Sequence, residues 1–222
     1  MQHYDDLNSI QIEKSWCAIG TFDGVHIGHQ MVFRRLVAGA QNSHAASVVI
    51  TFHPHPAIVL GKISQTSYLT TPEERADLIG QLGVDVVISL TFTRQTALMT
   101  AADFMQMLTE RLGIRHMIAG QDFALGRGRE GDVSRLKELG KQMRFDIEII
   151  DPVNNGSGKP ISSSLIRQLI VEGQLQEAAS LLGRYYRTDG KVIHGDNRGK
   201  LLGFPTANLE HWAERLMPPA GV

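Results

Sequence analysis

The sequence predicts an α/β domain built on a parallel sheet with helices on both faces, followed by the opening of a second, all-β unit. Three observations carry this. Strand-like and helix-like segments alternate as far as residue 182, two of the helices bring their own start signals, and after Gly183 the helical period gives way to short runs broken by glycine. The expected boundary divides residues 1–182 from residues 183–222.

Trp16–Ile19 is an apolar run and reads as a strand. His29–Gln41 reads as a helix, because Val32, Phe33, Leu36, Val37 and Ala40 fall on one face at helical spacing. Val48–Phe52 is β-branched and aromatic, the mark of a buried strand. Thr71-Pro72-Glu73-Glu74 combines a cap threonine, a proline at the first helical position and a glutamate three residues past the cap, and starts a helix that runs to the vicinity of Leu82. Val84–Leu90 is the next strand. Thr100-Ala101-Ala102-Asp103 opens a helix in the same way, and it ends near Gly113. Strand His116–Ala119, a loop rich in glycine and arginine, a helix near Ser134–Leu139 and strand Phe145–Ile150 complete the domain. Strands separated by helices need crossover connections and therefore pair in parallel, with ligands expected at their carboxyl ends. From Tyr185 to Leu209 the runs are interrupted by Gly190, Gly195, Gly199 and Gly203, as in the opening of a β-barrel. Residues 183–222 are too few to enclose a barrel core of their own, so Leu201, Leu202 and Phe204 are expected to lack partners and the tail to be mobile or aggregation-prone.

The composition narrows the function classes. Basic and acidic residues number 22 and 23, for a net charge of −1, which excludes a chain built to coat nucleic acid or an anionic membrane. Any phosphate binding must come from a local site. Cys17 is the single cysteine, so no internal disulfide can form, and its apolar surroundings make it a small buried hydrophobe. The start Met1-Gln2-His3-Tyr4-Asp5-Asp6 lacks the pattern of a signal peptide, and no run reaches the ~20 apolar residues of a membrane span. A cytoplasmic protein that acts on small molecules is expected, with its oligomeric state left open.

The most informative stretch is Gly20-Thr21-Phe22-Asp23-Gly24-Val25-His26-Ile27-Gly28-His29, between a strand and a helix. Its glycines allow close backbone approach, the helix start offers free N–H groups to an anion, and His26 and His29 are spaced to face the same ligand. On these residues alone phosphate binding, a metal site and ordinary structural roles stay open, although zinc would require further ligands that no cysteine cluster or third histidine supplies. Ile161-Ser162-Ser163-Ser164-Leu165-Ile166-Arg167 reads either as a serine N-cap series or as a polyphosphate clamp of hydroxyls, helix N-terminus and arginine. Asn155-Gly156-Ser157-Gly158-Lys159 is not a P-loop, because Val153 stands where the first glycine is required. His53-Pro54-His55-Pro56 is expected to be extended, since its prolines resist a helix, and Arg127-Gly128-Arg129 reads as solvated charge.

Together, H-x-G-H after the first strand and I-S-S-S-x-I-R late in the domain resemble the nucleotidyltransferase superfamily. Thr51-Phe52-His53-Pro54-His55-Pro56 and Gly120-Gln121-Asp122-Phe123-Ala124-Leu125-Gly126-Arg127-Gly128 narrow the resemblance to bacterial FAD synthetases. Gly190–Leu209, with Gly203-Phe204-Pro205-Thr206-Ala207-Asn208-Leu209, resembles the start of the riboflavin kinase domain that follows in that family, and Gly221-Val222 fits its next motif. The resemblance implies a Rossmann-like fold and adenylyl transfer from ATP to FMN, giving FAD and pyrophosphate with Mg²⁺. It assigns catalysis to His26, His29, Ser162, Ser163, Ser164 and Arg167, and ATP binding to Gly20, Phe22, Asp23, Gly24, Gly28 and Asp122. Flavin binding falls to Phe52, Pro54, His55, Pro56 and Phe123. Thr206 and Asn208 match the Mg-ATP positions of the kinase. The kinase's catalytic glutamate lies further along in the family, so riboflavin phosphorylation is not expected from these 222 residues.

Overall fold

The computed structural model describes residues 1–64, 67–195, 203–204 and 206–220. Six strands form one parallel sheet: β1 (Gln2–Tyr4), β2 (Ser15–Ile19), β3 (Ala46–His53), β4 (Val86–Thr91), β5 (Ile114–Gly120) and β6 (Asp146–Ile150). They lie in the order β1-β4-β3-β2-β5-β6. The chain moves outward from β2 to β3 and β4, then returns to the other flank of β2 for β5 and β6. The order therefore reverses beside β2, and this is where an open α/β sheet leaves a crevice.

Alternation along each strand feeds two cores. Cys17 and Ile19 of β2 face one side with Val48, Ile50 and Ile88, under α5 (Ala101–Leu112) and α6 (Val133–Met143). Trp16 and Ala18 face the other with Val49 and Val87, under α1 (Ile27–Asn42) and α3 (Pro72–Gly80). Each fully buried leucine, isoleucine or valine contributes roughly 1.5–3 kcal/mol by leaving water. A third cluster gathers α7 (Ser163–Val171) and α8 (Leu175–Leu182) around Ile166, Ile170 and Leu182.

The helix signals act as their chemistry requires. The Thr71 and Thr100 hydroxyls accept the N–H groups of Glu74 and Asp103, each at 3.1 Å, and Gly113 ends α5 in the left-handed conformation. Glu74 turns its carboxylate to Arg215 at 2.5 Å. The loop 154–160 is closed by Asn155, whose side-chain oxygen accepts the amides of Ser157 and Lys159.

Several elements depart from expectation. β1 pairs Gln2, His3 and Tyr4 with Val86, Val87 and Ile88, an edge strand too short to show a period. The segment after His53 is not extended throughout. The His53–Pro54 peptide is cis, and Pro56 begins the four-residue helix α2 (Pro56–Val59) capped by His55. Proline breaks a helix interior but suits its first turn, where its missing N–H has no partner to lose. Two more short helices form, α4 (Arg94–Leu98) and α8.

Beyond Gly183 the described residues form an antiparallel pair, β7 (Lys191–Ile193) and β8 (Asn208–Glu210). Phe204 is 78% exposed, as expected of a side chain without partners; Leu201, Leu202, Gly199, Pro205, Gly221 and Val222 lie outside the described residues. Among the described residues, one part of the tail departs from the expectation of a loose end. Arg215 and Leu216 are buried against the first unit, where Leu216 joins the α7–α8 cluster.

Gly39 lies in α1 beneath Trp16, and a Cβ there would come within 2.2 Å of the indole. Glycine to alanine inside a helix ordinarily gains up to about 1 kcal/mol. Here Gly39→Ala should instead cost about 1–3 kcal/mol through overpacking, seen as a lower urea midpoint at unchanged m-value.

Candidate active site

A cleft of about 880 Å³ opens at the carboxyl ends of β2, β3, β5 and β6. Of the residues singled out in the sequence, it brings together Gly20, Phe22, His26, Gly28, His29, Phe52, His55, Pro56, Asp122, Phe123, Ser162, Ser163, Ser164 and Arg167. Asp23, Gly24 and Pro54 do not line it. Thr206 and Asn208 are exposed on the β7–β8 unit, away from it.

One end of the cleft is polar. The first turns of α1 and α7 both open into it, and neither carries an acidic side chain. Free N–H groups and the positive ends of two helix dipoles therefore point at the same space. Ser162 caps α7 by accepting the Leu165 N–H at 3.2 Å. Ser163 donates its hydroxyl to the Asp23 carbonyl at 2.8 Å, and Ser164 is exposed. The serine series is thus both a cap and a wall.

His26 caps α1, with Nδ1 accepting the His29 N–H at 3.4 Å. That bond assigns the proton of the neutral ring to Nε2. The two imidazoles stack with centroids 3.5 Å apart and planes 21° from parallel. Gly28 gives the stack room, since a Cβ there would sit 3.2 Å from the His26 ring and press on it. Burial pushes the His26 pKa down to about 4 despite the opposing Asp23 carboxylate. Burial, with His26 and Arg75 nearby, holds His29 well below the ordinary histidine value. Both rings are neutral at pH 7, and His29 Nδ1 is buried without a partner among the described residues.

Behind this end lies Asp23, 1% exposed. Its carboxylate accepts the N–H groups of Leu69 and Thr70 and the Thr70 hydroxyl at 3.1 Å. It pairs with Arg167 at 2.6 Å and with Arg75 at 3.7 Å. Arg167 also donates to the Ser67 carbonyl at 2.8 Å, so Nε and Nη2 are anchored and Nη1 is left to the cleft among the described residues. Gly24 is buried beneath Leu69. Arg75, fully buried, donates to Thr51 at 3.0 Å and ties β3 to the same hub. Sequence reasoning missed Tyr68, Leu69, Thr70 and Arg75, because a buried arginine in an ordinary amphipathic helix carries no local signal.

The opposite end is apolar. Phe52, Phe92, Phe104 and Phe123 line it, with Phe52 edge-on to Phe92 at 5.5 Å. His55, Pro56 and Leu60 form its rim. His55 Nδ1 accepts the Ala57 N–H at 3.1 Å, and burial with Arg167 nearby lowers its pKa.

Parallel sheet, reversal beside β2 and paired helix N-termini together define an α/β fold of the nucleotidyltransferase kind. Residues 9–165 match the family model described as FAD synthetase, and residues 182–222 match the one described as riboflavin kinase. The chain belongs to the FAD synthetase family of bifunctional riboflavin kinase/FMN adenylyltransferases. It is 39% identical to the bifunctional riboflavin kinase/FMN adenylyltransferase of Listeria monocytogenes, covering 99% of this chain and 68% of that one. Its identity to the Bacillus subtilis protein of the same name is 37%, over 94% of this chain and 66% of that one. The chain thus spans roughly two thirds of the length of both relatives. Among solved structures it resembles one from Streptococcus pneumoniae named a macrolide-efflux protein, at TM-score 0.85 and 31% identity, over 99% of this chain and 71% of that one. No helix among the described residues of the present chain is long and apolar enough to cross a membrane.

Because buried His26 resists protonation, the unfolded chain takes up a proton between pH ~6.5 and ~4 that the folded site refuses, and buried His29 acts in the same direction. Their contribution is whole above the unfolded value and is lost as pH falls through this window. Urea unfolding at pH 7.5, 5.5 and 4.5 should show falling stability. His26→Asn/His29→Asn, which keeps a cap acceptor at position 26, should fall less steeply; parallel slopes would contradict the assignment.

Proposed function

We propose that this chain makes FAD by transferring AMP from ATP to FMN, releasing pyrophosphate. The observation that carries the proposal is the single cleft with an anion-binding end and an aromatic end. A polyphosphate suits the two helix N-termini, and a flat flavin ring suits the phenylalanine walls. The names of the curated relatives support the same reading.

In this reaction an oxygen of the FMN phosphate attacks the α-phosphorus of ATP. The bond from that phosphorus to the bridging oxygen breaks, and the electron pair leaves with pyrophosphate. The attacking phosphate is already anionic at neutral pH, so no general base is needed. What the protein must supply is alignment and stabilisation of charge. In our reading His26, through Nε2–H, and His29 hydrogen-bond the α-phosphate oxygens as they gain charge. Ser162, Ser163 and Ser164, by backbone N–H and free hydroxyl, and Arg167, by Nη1, hold the β- and γ-phosphates. Gly20, Phe22 and Gly28 form the ATP-side wall, with Asp122 at the nucleotide, while Asp23 and Gly24 support that wall from behind. Phe52, His55, Pro56 and Phe123 edge the flavin, with Pro54 leading into them. Mg²⁺ on the triphosphate would neutralise charge on the leaving group. Among the described residues no group of three His, Cys, Asp or Glu side chains forms a metal cage, which suits a cation held mainly by nucleotide oxygens and water.

We assign residues 1–182 to this domain and residues 183–222 to the start of a riboflavin kinase unit, in which Thr206 and Asn208 correspond to Mg-ATP positions. A reducing, cytoplasmic setting suits a chain whose cysteine, Cys17, is buried and unpaired.

The purified chain given FMN, ATP and Mg²⁺ should form FAD and pyrophosphate in equal amounts. His29→Ala should lower kcat by ~10²–10³-fold with the fold retained by circular dichroism. Full activity in that variant, or its unfolding, would overturn the assignment.

A further inference from the structure

The cleft's aromatic end is bordered by a segment that cannot hold itself in place. α2 spans four residues and buries none of them. Its leading residue, His55, is held among the described residues by one tertiary hydrogen bond: its backbone N–H donates to the Tyr68 hydroxyl at 2.7 Å. The position of this rim therefore depends on what fixes Tyr68.

Tyr68 is 1% exposed, and much of what covers it comes from the far end of the chain. Its ring stacks on Trp212 with centroids 5.2 Å apart and planes 29° from parallel, and His53 packs against both rings at 5.3 and 5.7 Å. Its backbone is clamped by the same segment. The Tyr68 N–H donates to the Glu214 carbonyl at 2.8 Å, and the Leu216 N–H donates to the Tyr68 carbonyl at 2.9 Å. Arg215 locks the clamp, being buried and bonded to Glu74 on α3 and to the Arg187 carbonyl.

From this geometry we propose that Trp212–Leu216, carried by the second unit, is a positioning element for the flavin end of the first. Trp212 fixes Tyr68, and Tyr68 fixes His55 and the rim that follows. On either side of Tyr68, Ser67, Leu69 and Thr70 keep their own bonds to Arg167 and Asp23, and the backbone bonds from Glu214 and Leu216 do not need the Trp212 ring. Loss of that ring is therefore transmitted through the Tyr68 hydroxyl to His55 and the apolar half, and it should affect FMN far more than ATP. The proposal rests on the flavin reading of that half.

Steady-state kinetics of the full chain test it, together with backbone hydrogen exchange of residues 53–60. Trp212→Ala should raise the KM for FMN by ~5–20-fold, leave kcat and the KM for ATP within about twofold, and speed exchange at the His55 amide. Trp212→Phe, which keeps an aromatic face for Tyr68, should restore both readouts. Phe204→Ala, at an exposed position of the same unit, should change neither. An unchanged KM for FMN with unchanged exchange would overturn the proposal, and so would an equal loss in kcat and both KM values. If the wild-type chain makes no FAD, the functional reading fails. The exchange arm still decides this inference then, since faster exchange at His55 in Trp212→Ala alone supports it and unchanged exchange overturns it.

Discussion

The site depends on one buried carboxylate. Asp23 receives the backbone of Leu69 and Thr70, the Thr70 hydroxyl and two arginines, one from α3 and one from α7. Two stretches of chain far apart in sequence, residues 69–75 and the start of α7, thus converge on one charge. An ion this deep is tolerable only when paired and hydrogen-bonded, and removing one partner from such a group typically costs about 3–5 kcal/mol. The consequence is geometric. Arg167 is held from behind by Asp23 and Ser67, so its remaining donor faces the cleft without having to be ordered by a ligand.

The two ends of the cleft follow from different physics. At the polar end the charge that would meet an anion comes from helix termini and a tethered guanidinium, while the stacked imidazoles stay neutral. A neutral ring offers a directed N–H without bringing a further cation close to Arg75 and Arg167. At the apolar end, phenylalanines from β3, the β4–α4 connection, α5 and the loop after β5 share one surface. The phenylalanines belong with the α5–α6 face of the sheet and the start of α1 with the opposite face, so the fold decides where the halves of a substrate pair would meet.

Much of this was legible locally. Thr71 and Thr100 announce their helices because capping is decided within four residues, and β2 and β3 are read from apolar runs that can only be buried. The motifs at Gly20–His29 and Ile161–Arg167 both read as anion sites, and both line the one cleft. What escaped depends on contacts across the chain. Asp23 looks like part of the ligand wall in sequence, yet it turns inward because Leu69 and Thr70 present donors to it. Pro56 looked extended, but it occupies the one helical position proline favours. Trp212 and Arg215 gave no hint of docking, since their partners Tyr68 and Glu74 lie more than a hundred residues earlier.

The central claim is that Asp23 serves the site by holding Arg167, and a double-mutant cycle on ATP affinity tests it most directly. Calorimetric titration of the folded wild type, Asp23→Asn, Arg167→Met and the double variant would give the coupling between the two positions. The account predicts strong coupling, with the double variant binding ATP no worse than Arg167→Met and an interaction energy of about 1–3 kcal/mol. Additive losses would contradict it and return Asp23 to an independent role.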